Sequence, residues 1–277
     1  MPCRLAVFLS RQAPVGVVLR RGPSAWTQLI HWDRANDHFT PGQWFRGRMY
    51  ERRCDLSPDG RLFIYFAGKF GPRPQGTEGV GETWTAISRP PYFTALALCP
   101  NLGAWYGGGV FRNDRTVLMD NTGSPDAHPK FRPHGLKIER VPPTSAPWEQ
   151  RLLRDRWQLV ERGFDPRTHR RVGVREIWQK PRLDGAITLS RQIEDVDFRR
   201  YGSPYAETYW LETPEDLIPI EGATWVEWDR WDRLVMAKDG KLFAGLVDGA
   251  VLTTTELYDF NGLQPQEIPT PDWAQRW

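Results

Sequence analysis

Few residue groupings in this chain could do chemistry, and each has a plainer reading beside it. His128 and His134 stand with five residues between them and Asp126 close by, in a Pro-rich stretch. Imidazole and carboxylate are zinc ligands, but this spacing matches no common zinc pattern, so the pair reads as surface-loop histidines. Glu194-Asp-Val-Asp197 is the densest acidic cluster. On a strand, Asp195 and Asp197 would share a face and could hold a divalent cation. The preferred reading is an acidic edge countered by Arg191, Arg199 and Arg200. Cys54 and Cys99 have no neighbour that would stabilise a thiolate, so they read as small buried fillers rather than nucleophiles. The chain contains no Gly-x-Ser-x-Gly elbow for a catalytic serine. Gly107-Gly-Gly109 lacks the Lys-Ser/Thr of a phosphate loop, which leaves a strand distortion or a close backbone approach. No catalytic, cofactor-binding or metal-binding residue is assigned, and no cofactor is expected.

The aromatic and arginine groupings are more informative. Trp44, Phe45, Arg46, Arg48 and Tyr50 form one set, and Arg199, Arg200 and Tyr201 another, both expected between strands. Trp, Tyr and Arg are enriched at interface hot spots because they combine large area and several donors with little entropy loss. Stacked guanidinium groups packing a sheet edge explain the same composition equally well. Trp44, Arg46, Arg48, Arg199, Arg200 and Tyr201 are therefore the candidate interaction residues.

The elements that must position them read as strands. Fourteen Trp, 24 Pro and 25 Gly in 277 residues mean many turns with large aromatic side chains between them. That composition suits short strands packed face to face. Strands are expected at residues 4–10, 15–21, 26–32, 62–66, 84–87, 93–98, 116–119, 157–162, 172–179, 186–191, 224–228, 233–237, 241–247 and 250–254. One short helix is expected from Trp148 to Trp157. Leu56-Ser-Pro-Asp-Gly-Arg-Leu-Phe63 and Met236-Ala-Lys-Asp-Gly-Lys-Leu-Phe243 repeat one phrase, each an apolar strand, an Asp-Gly turn and a second strand. Phe63, Tyr65, Leu242 and Phe243 are expected in the core, and the two turns at equivalent places in their sheets. Leu98-Cys-Pro-Asn-Leu-Gly-Ala-Trp105 looks like a degraded third copy, and Trp32-Asp-Arg34 is echoed by Trp228-Asp-Arg230.

This recurrence resembles WD-repeat and related β-propellers, although the Gly-His dipeptide of true WD repeats is absent. The resemblance implies an all-β fold: a single propeller-like toroid over residues 1–277, with about five four-stranded blades. Residues 121–215 form a Pro/Gly-rich irregular middle, and 255–277 a tail packing on the toroid or on a partner.

Charge and cysteine usage narrow the function. The formal net charge is only +3, with acidic residues interspersed among the Arg, so no broad nucleic-acid footprint is present. The preference for Arg over Lys fits a GC-rich bacterial genome. Three scattered cysteines fit a reducing, cytoplasmic compartment. No run approaches the ~20 apolar residues of a membrane helix. The leading expectation is a non-catalytic protein–protein interaction module, such as a regulatory subunit of a bacterial complex. The alternative is an enzyme with a site assembled in the channel from scattered carboxylates and arginines. Nucleic-acid binding by Arg and aromatic loops is the weaker alternative.

Overall fold

The computed structural model describes residues 2–22, 25–71, 79–120, 127–142, 146–163, 175–195, 205–229 and 232–277. Its chain is all-β, made of five successive sheets of three to five strands, the arrangement of a five-bladed β-propeller. The first sheet holds β1 (Arg4–Leu9), β2 (Val15–Arg21), β3 (Trp26–Asp33) and β4 (His38–Arg46). The second holds β5 (Arg48–Met49), β6 (Asp55–Leu56), β7 (Phe63–Gly68), β8 (Thr83–Ser88) and β9 (Ala95–Asn101), with β5 and β6 both lying along β7. The third holds β10 (Gly109–Asn113), β11 (Thr116–Met119) and β12 (Lys137–Arg140), the last running parallel to β11. After helix α1 (Pro147–Arg154) come β13 (Gln158–Gly163), β14 (Arg175–Pro181), β15 (Thr188–Asp195), β16 (Tyr205–Glu212) and β17 (Leu217–Pro219) of the fourth sheet. The fifth is β18 (Ala223–Trp228), β19 (Leu234–Lys238), β20 (Lys241–Asp248) and β21 (Val251–Asp259). No helix among the described residues is long and apolar enough to cross a membrane.

The chain divides into two compact units. Unit 1 comprises Met1–Arg151 with Phe260–Trp277, and unit 2 comprises Leu152–Asp259. In unit 1, the apolar run of β7 is buried on both faces. Phe63, Tyr65 and Ala67 face Phe8, Val17, Leu19 and Leu29 of the first sheet, with the Phe8 and Phe63 rings 5.3 Å apart, edge to face. Ile64, on the opposite pleat, joins Ile87, Phe111, Val117 and Met119 of the second and third sheets. Such two-sided burial is why this strand shows no polar alternation.

Several expectations are corrected. The two Asp-Gly turns occupy non-equivalent places: Asp59-Gly60 joins the first strand position of its sheet to the second, Asp239-Gly240 the second to the third. They also differ in kind. Asp239 and Gly240 both have positive φ (51° and 74°), which a two-residue hairpin turn of primed type requires. At the first turn only Gly60 does, and the Ser57 hydroxyl closes a longer loop by accepting from the Leu62 amide at 2.9 Å. Asp-Gly thus encodes a tight reversal, not a place in a repeat. The supposed third copy is no hairpin, since Leu98 to Asn101 end β9 and a connection to β10 follows. Phe243 is only half-buried, because it neighbours fully buried Leu242 and a strand cannot turn both inward. Within the middle, β13, β14 and β15 overlap the strands expected at 157–162, 172–179 and 186–191, and β16 and β17 add two that were not expected. The helix spans Pro147–Arg154 rather than 148–157.

The tail begins at residue 260, since β21 continues to Asp259. It binds unit 1. Phe260 is fully buried against Phe39, with centroids 5.4 Å apart. Arg20, also buried, donates to the Phe260 and Asn261 carbonyls at 3.0 and 3.1 Å and to Gly22 O, which offsets the cost of burying its charge. Gln43 Nε2 donates to Ile268 O at 3.0 Å, and Trp277 Nε1 to Leu96 O at 3.2 Å.

Because Phe63 fills the first two-sheet core and Phe243 does not fill one, their truncations should differ. Phe63→Ala should cost about 3–5 kcal/mol in urea unfolding, and Phe243→Ala distinctly less. Equal losses would show that the pleat assignment of β20 is wrong.

Candidate protein-interaction surface

Strand register places one set of residues in a row across the second sheet. Arg48 of β5 pairs with Gly68 of β7, Gly68 with Thr83 of β8, and Thr83 with Asn101 of β9. Phe70 lies just past this row from β7, and Leu102, Trp105 and Tyr106 lie just past it from β9. Their exposures are high: Phe70 57%, Leu102 76%, Trp105 85% and Tyr106 50%. Only Phe131 and Trp273 join them among the exposed large apolar residues described in unit 1. Four of the six thus collect at one end of one sheet, which is a patch and not scatter.

The loop that carries three of them is fixed by its backbone. Thr83, Thr85 and Asn101 are buried beneath it. The Thr83 hydroxyl donates to Gly103 O at 2.6 Å, and Asn101 Nδ2 donates to Tyr106 O at 3.3 Å. The Thr85 hydroxyl donates to Asn101 Oδ1 at 3.2 Å and accepts from the Gly108 amide at 2.7 Å. Arg53 Nη2 donates to Trp105 O at 2.8 Å, and the Asp120 amide to Gly108 O at 3.0 Å. Burial raises the Asp120 carboxyl pKa, while Arg53 and the Gly107 amide pull it back.

The glycine run is what lets the loop descend onto this support. A Cβ on Gly107 would come within 2.2 Å of the Phe66 ring, and one on Gly108 within 2.2 Å of Arg53 O. Gly108 also has φ +82°, a conformation side chains rarely adopt. The close backbone approach expected of Gly107-Gly-Gly109 is therefore present. The backbone is held inward while Leu102, Trp105 and Tyr106 point to water.

Arg48 is the one sequence-proposed candidate with a register partner in this row, its guanidinium over the Tyr50 ring at 5.4 Å. Trp44 and Arg46 are on β4 and not between strands, and Arg48 is on β5. Pro41 and Gly42 of β4 sit at a bulge where Leu29 faces an extra residue, and a Cβ on Gly42 would meet Pro91 O at 2.1 Å. Trp44 is half-buried with the Arg20 guanidinium over its ring at 5.2 Å, while Arg46 is exposed. Arg199, Arg200 and Tyr201 lie outside the described residues, as do Asp126 and Asp197.

Three other groupings have local partners. His128 packs on Phe131 at 5.4 Å, and its Nδ1 accepts from the Lys130 amide. Cys54 and Cys99 are buried and in no disulfide, and burial pushes the Cys54 pKa up to about 12. In unit 2, carboxylates hold aromatic side chains inward. Trp178 Nε1 donates to Glu176 at 2.9 Å, the Tyr209 hydroxyl to Glu207 at 2.6 Å, and Trp157 Nε1 to Glu227 at 2.9 Å. Arg162, Arg191 and Lys180 close the same three carboxylates at 2.9, 2.8 and 2.7 Å. This charge set is engaged internally.

Sequence reasoning missed Phe70, Leu102, Trp105 and Tyr106. The available signal was Leu102-Gly-Ala-Trp-Tyr-Gly-Gly-Gly109, three large apolar residues within five positions, bracketed by glycine and without strand alternation. No family model matches the chain, and no curated protein matches it in sequence.

The loop analysis separates support from display. Gly108→Ala should lower the thermal midpoint by the equivalent of about 1–3 kcal/mol, whereas Trp105→Ala should stay within about 0.5 kcal/mol of the parent. A strongly destabilised Trp105→Ala would mean the indole is packed in the fold.

Proposed function

We propose that this chain is a non-catalytic protein–protein interaction module that docks a partner on the Trp105 end of unit 1. The observation that carries this reading is the combination of a backbone-fixed loop with exposed Leu102, Trp105 and Tyr106. Fixing the loop in advance lowers the ordering cost at association, and a large indole supplies area for a hot spot. Propeller folds commonly serve as platforms for partners, an argument by analogy that points the same way. Three buried cysteines outside any disulfide suit a reducing cytoplasm, where a regulatory subunit of a bacterial complex would work.

Capture from a lysate of the native host with immobilised full-length chain tests it. Wild type should retain a partner in near-stoichiometric amount, and Trp105→Ala should lose it, by about 30-fold in affinity for a ~2 kcal/mol hot spot. Phe131→Ala is the control, because residue 131 lies beside Leu98 in mid-strand, away from this end. Equal retention by all three chains, or turnover of a small substrate by the purified protein, would overturn the proposal.

A further inference from the structure

Charge in unit 1 is sorted by end. At the row end of the first sheet, Arg4 pairs with Arg21, and β4 finishes at Arg46. A single residue, Gly47, then separates Arg46 from Arg48 at the start of the second sheet. The basic edge is therefore continuous in chain and register with the end bearing Phe70 and the aromatic loop. Arg4 and Arg46 are exposed, Arg21 and Arg48 half-buried. Glu51 is the carboxylate facing them, 3.9 Å from Arg21 Nη1. Arg4 and Arg48 both lie close enough to Arg21 to lower its pKa, adding to burial and opposed by Glu51. Beyond them, the Lys69 amide donates to Glu82 O at 2.8 Å, which brings one residue of each charge to the same place.

The opposite ends of the same sheets are different. Their turns carry Asp33 and Asp59, joined by Asp114 from the β10–β11 turn of the third sheet, and each accepts an amide hydrogen: Asp33 from Ala35, Asp59 from Arg61, Asp114 from Asp59. Arg11, Arg61 and Arg115 stand among them. A chain of net charge +3 thus holds four guanidinium groups, Arg4, Arg21, Arg46 and Arg48, against Glu51 along this edge.

We infer that the partner surface accepted at this end is acidic: a carboxylate-rich protein segment carrying at least one apolar side chain. The inference rests on the docking reading above and specifies its partner. Guanidinium forks bind carboxylates in bidentate fashion, and bringing carboxylates in relieves the mutual repulsion of Arg4, Arg21 and Arg48. Complementary charge steers the encounter, and the apolar residues supply the buried area. A protein segment is favoured over nucleic acid because the exposed Leu102 is aliphatic and offers no stacking face.

Fluorescence anisotropy with defined probes tests this. The probes are a labelled random Glu/Tyr copolymer, a Lys/Tyr copolymer, and an oligothymidylate of about twenty nucleotides, each at about 50 and about 300 mM salt. The Glu/Tyr copolymer should bind, and weaken as salt rises. Arg46→Glu/Arg48→Glu should reduce its affinity at least about 10-fold, since two close charges are reversed. Should that pair fail to fold, Arg4→Glu/Arg46→Glu, both on exposed positions, serves instead. No binding of the Glu/Tyr copolymer, unchanged affinity on charge reversal, or tighter binding of the Lys/Tyr copolymer or the oligothymidylate would each overturn the inference. The two readings fail separately. If Trp105→Ala abolishes capture of the host partner while charge reversal leaves it intact, docking stands and the acidic partner falls; if neither variant matters, both fall.

Discussion

An apolar side chain left in water contributes nothing to folding, so a loop that displays several must be held by its backbone. This constraint governs the Trp105 end. Thr83, Thr85 and Asn101 are small polar residues buried in β8 and β9, where aliphatic residues would have added more hydrophobic stabilisation. Their hydroxyl and amide groups instead receive the carbonyls of Gly103 and Tyr106 and the amide of Gly108. Each of these bonds is worth only about 1 kcal/mol net, but leaving the buried groups unpaired would cost more than the bond contributes. The polar set therefore acts as a unit, and the glycines at 107 and 108 let the loop reach it.

Aromatic residues are used in two opposite ways. In unit 2, Trp157, Trp178 and Tyr209 are turned inward and each is tied to a glutamate that is itself paired with a cation. Glu176 and Trp178, and likewise Glu207 and Tyr209, are two residues apart on a strand and so share a face. The aromatic body fills the sheet while its polar atom finds a buried acceptor. In unit 1 the indole of Trp105 has 85% of its residue surface exposed. Fourteen tryptophans in one chain say nothing by number about binding; their surroundings decide.

Much of the fold was legible. β2 lies at 15–21 as its apolar run predicts, β3 differs by one residue, and the apolar peak at 62–66 marks the doubly buried β7. Local signals, namely burial pattern and turn chemistry, encode these features. Equivalence between the Asp-Gly turns was not encoded, because a reversal carries no information about which strands it joins. β4 was not expected at all: its pairing with β3 is broken by a bulge at Pro41–Gly42, and its Trp and Arg residues were placed between strands. The surface was the least legible part. Trp105 is assembled into a site by Thr83 and Thr85 on a neighbouring strand, and by Phe66 and Arg53 further away, all distant in sequence. Arg48, recognised by residue type alone, shares that end through strand register.

The central claim is that the loop is rigid before any partner arrives. Backbone ¹⁵N relaxation on the deuterated, full-length protein measures this directly at the amides of residues 103–108. If buried Thr83, Thr85 and Asn101 hold the loop, order parameters there should match those of the flanking strands, about 0.85. Values below about 0.6 would describe a floppy loop with aromatic side chains merely attached to it, and would contradict the account.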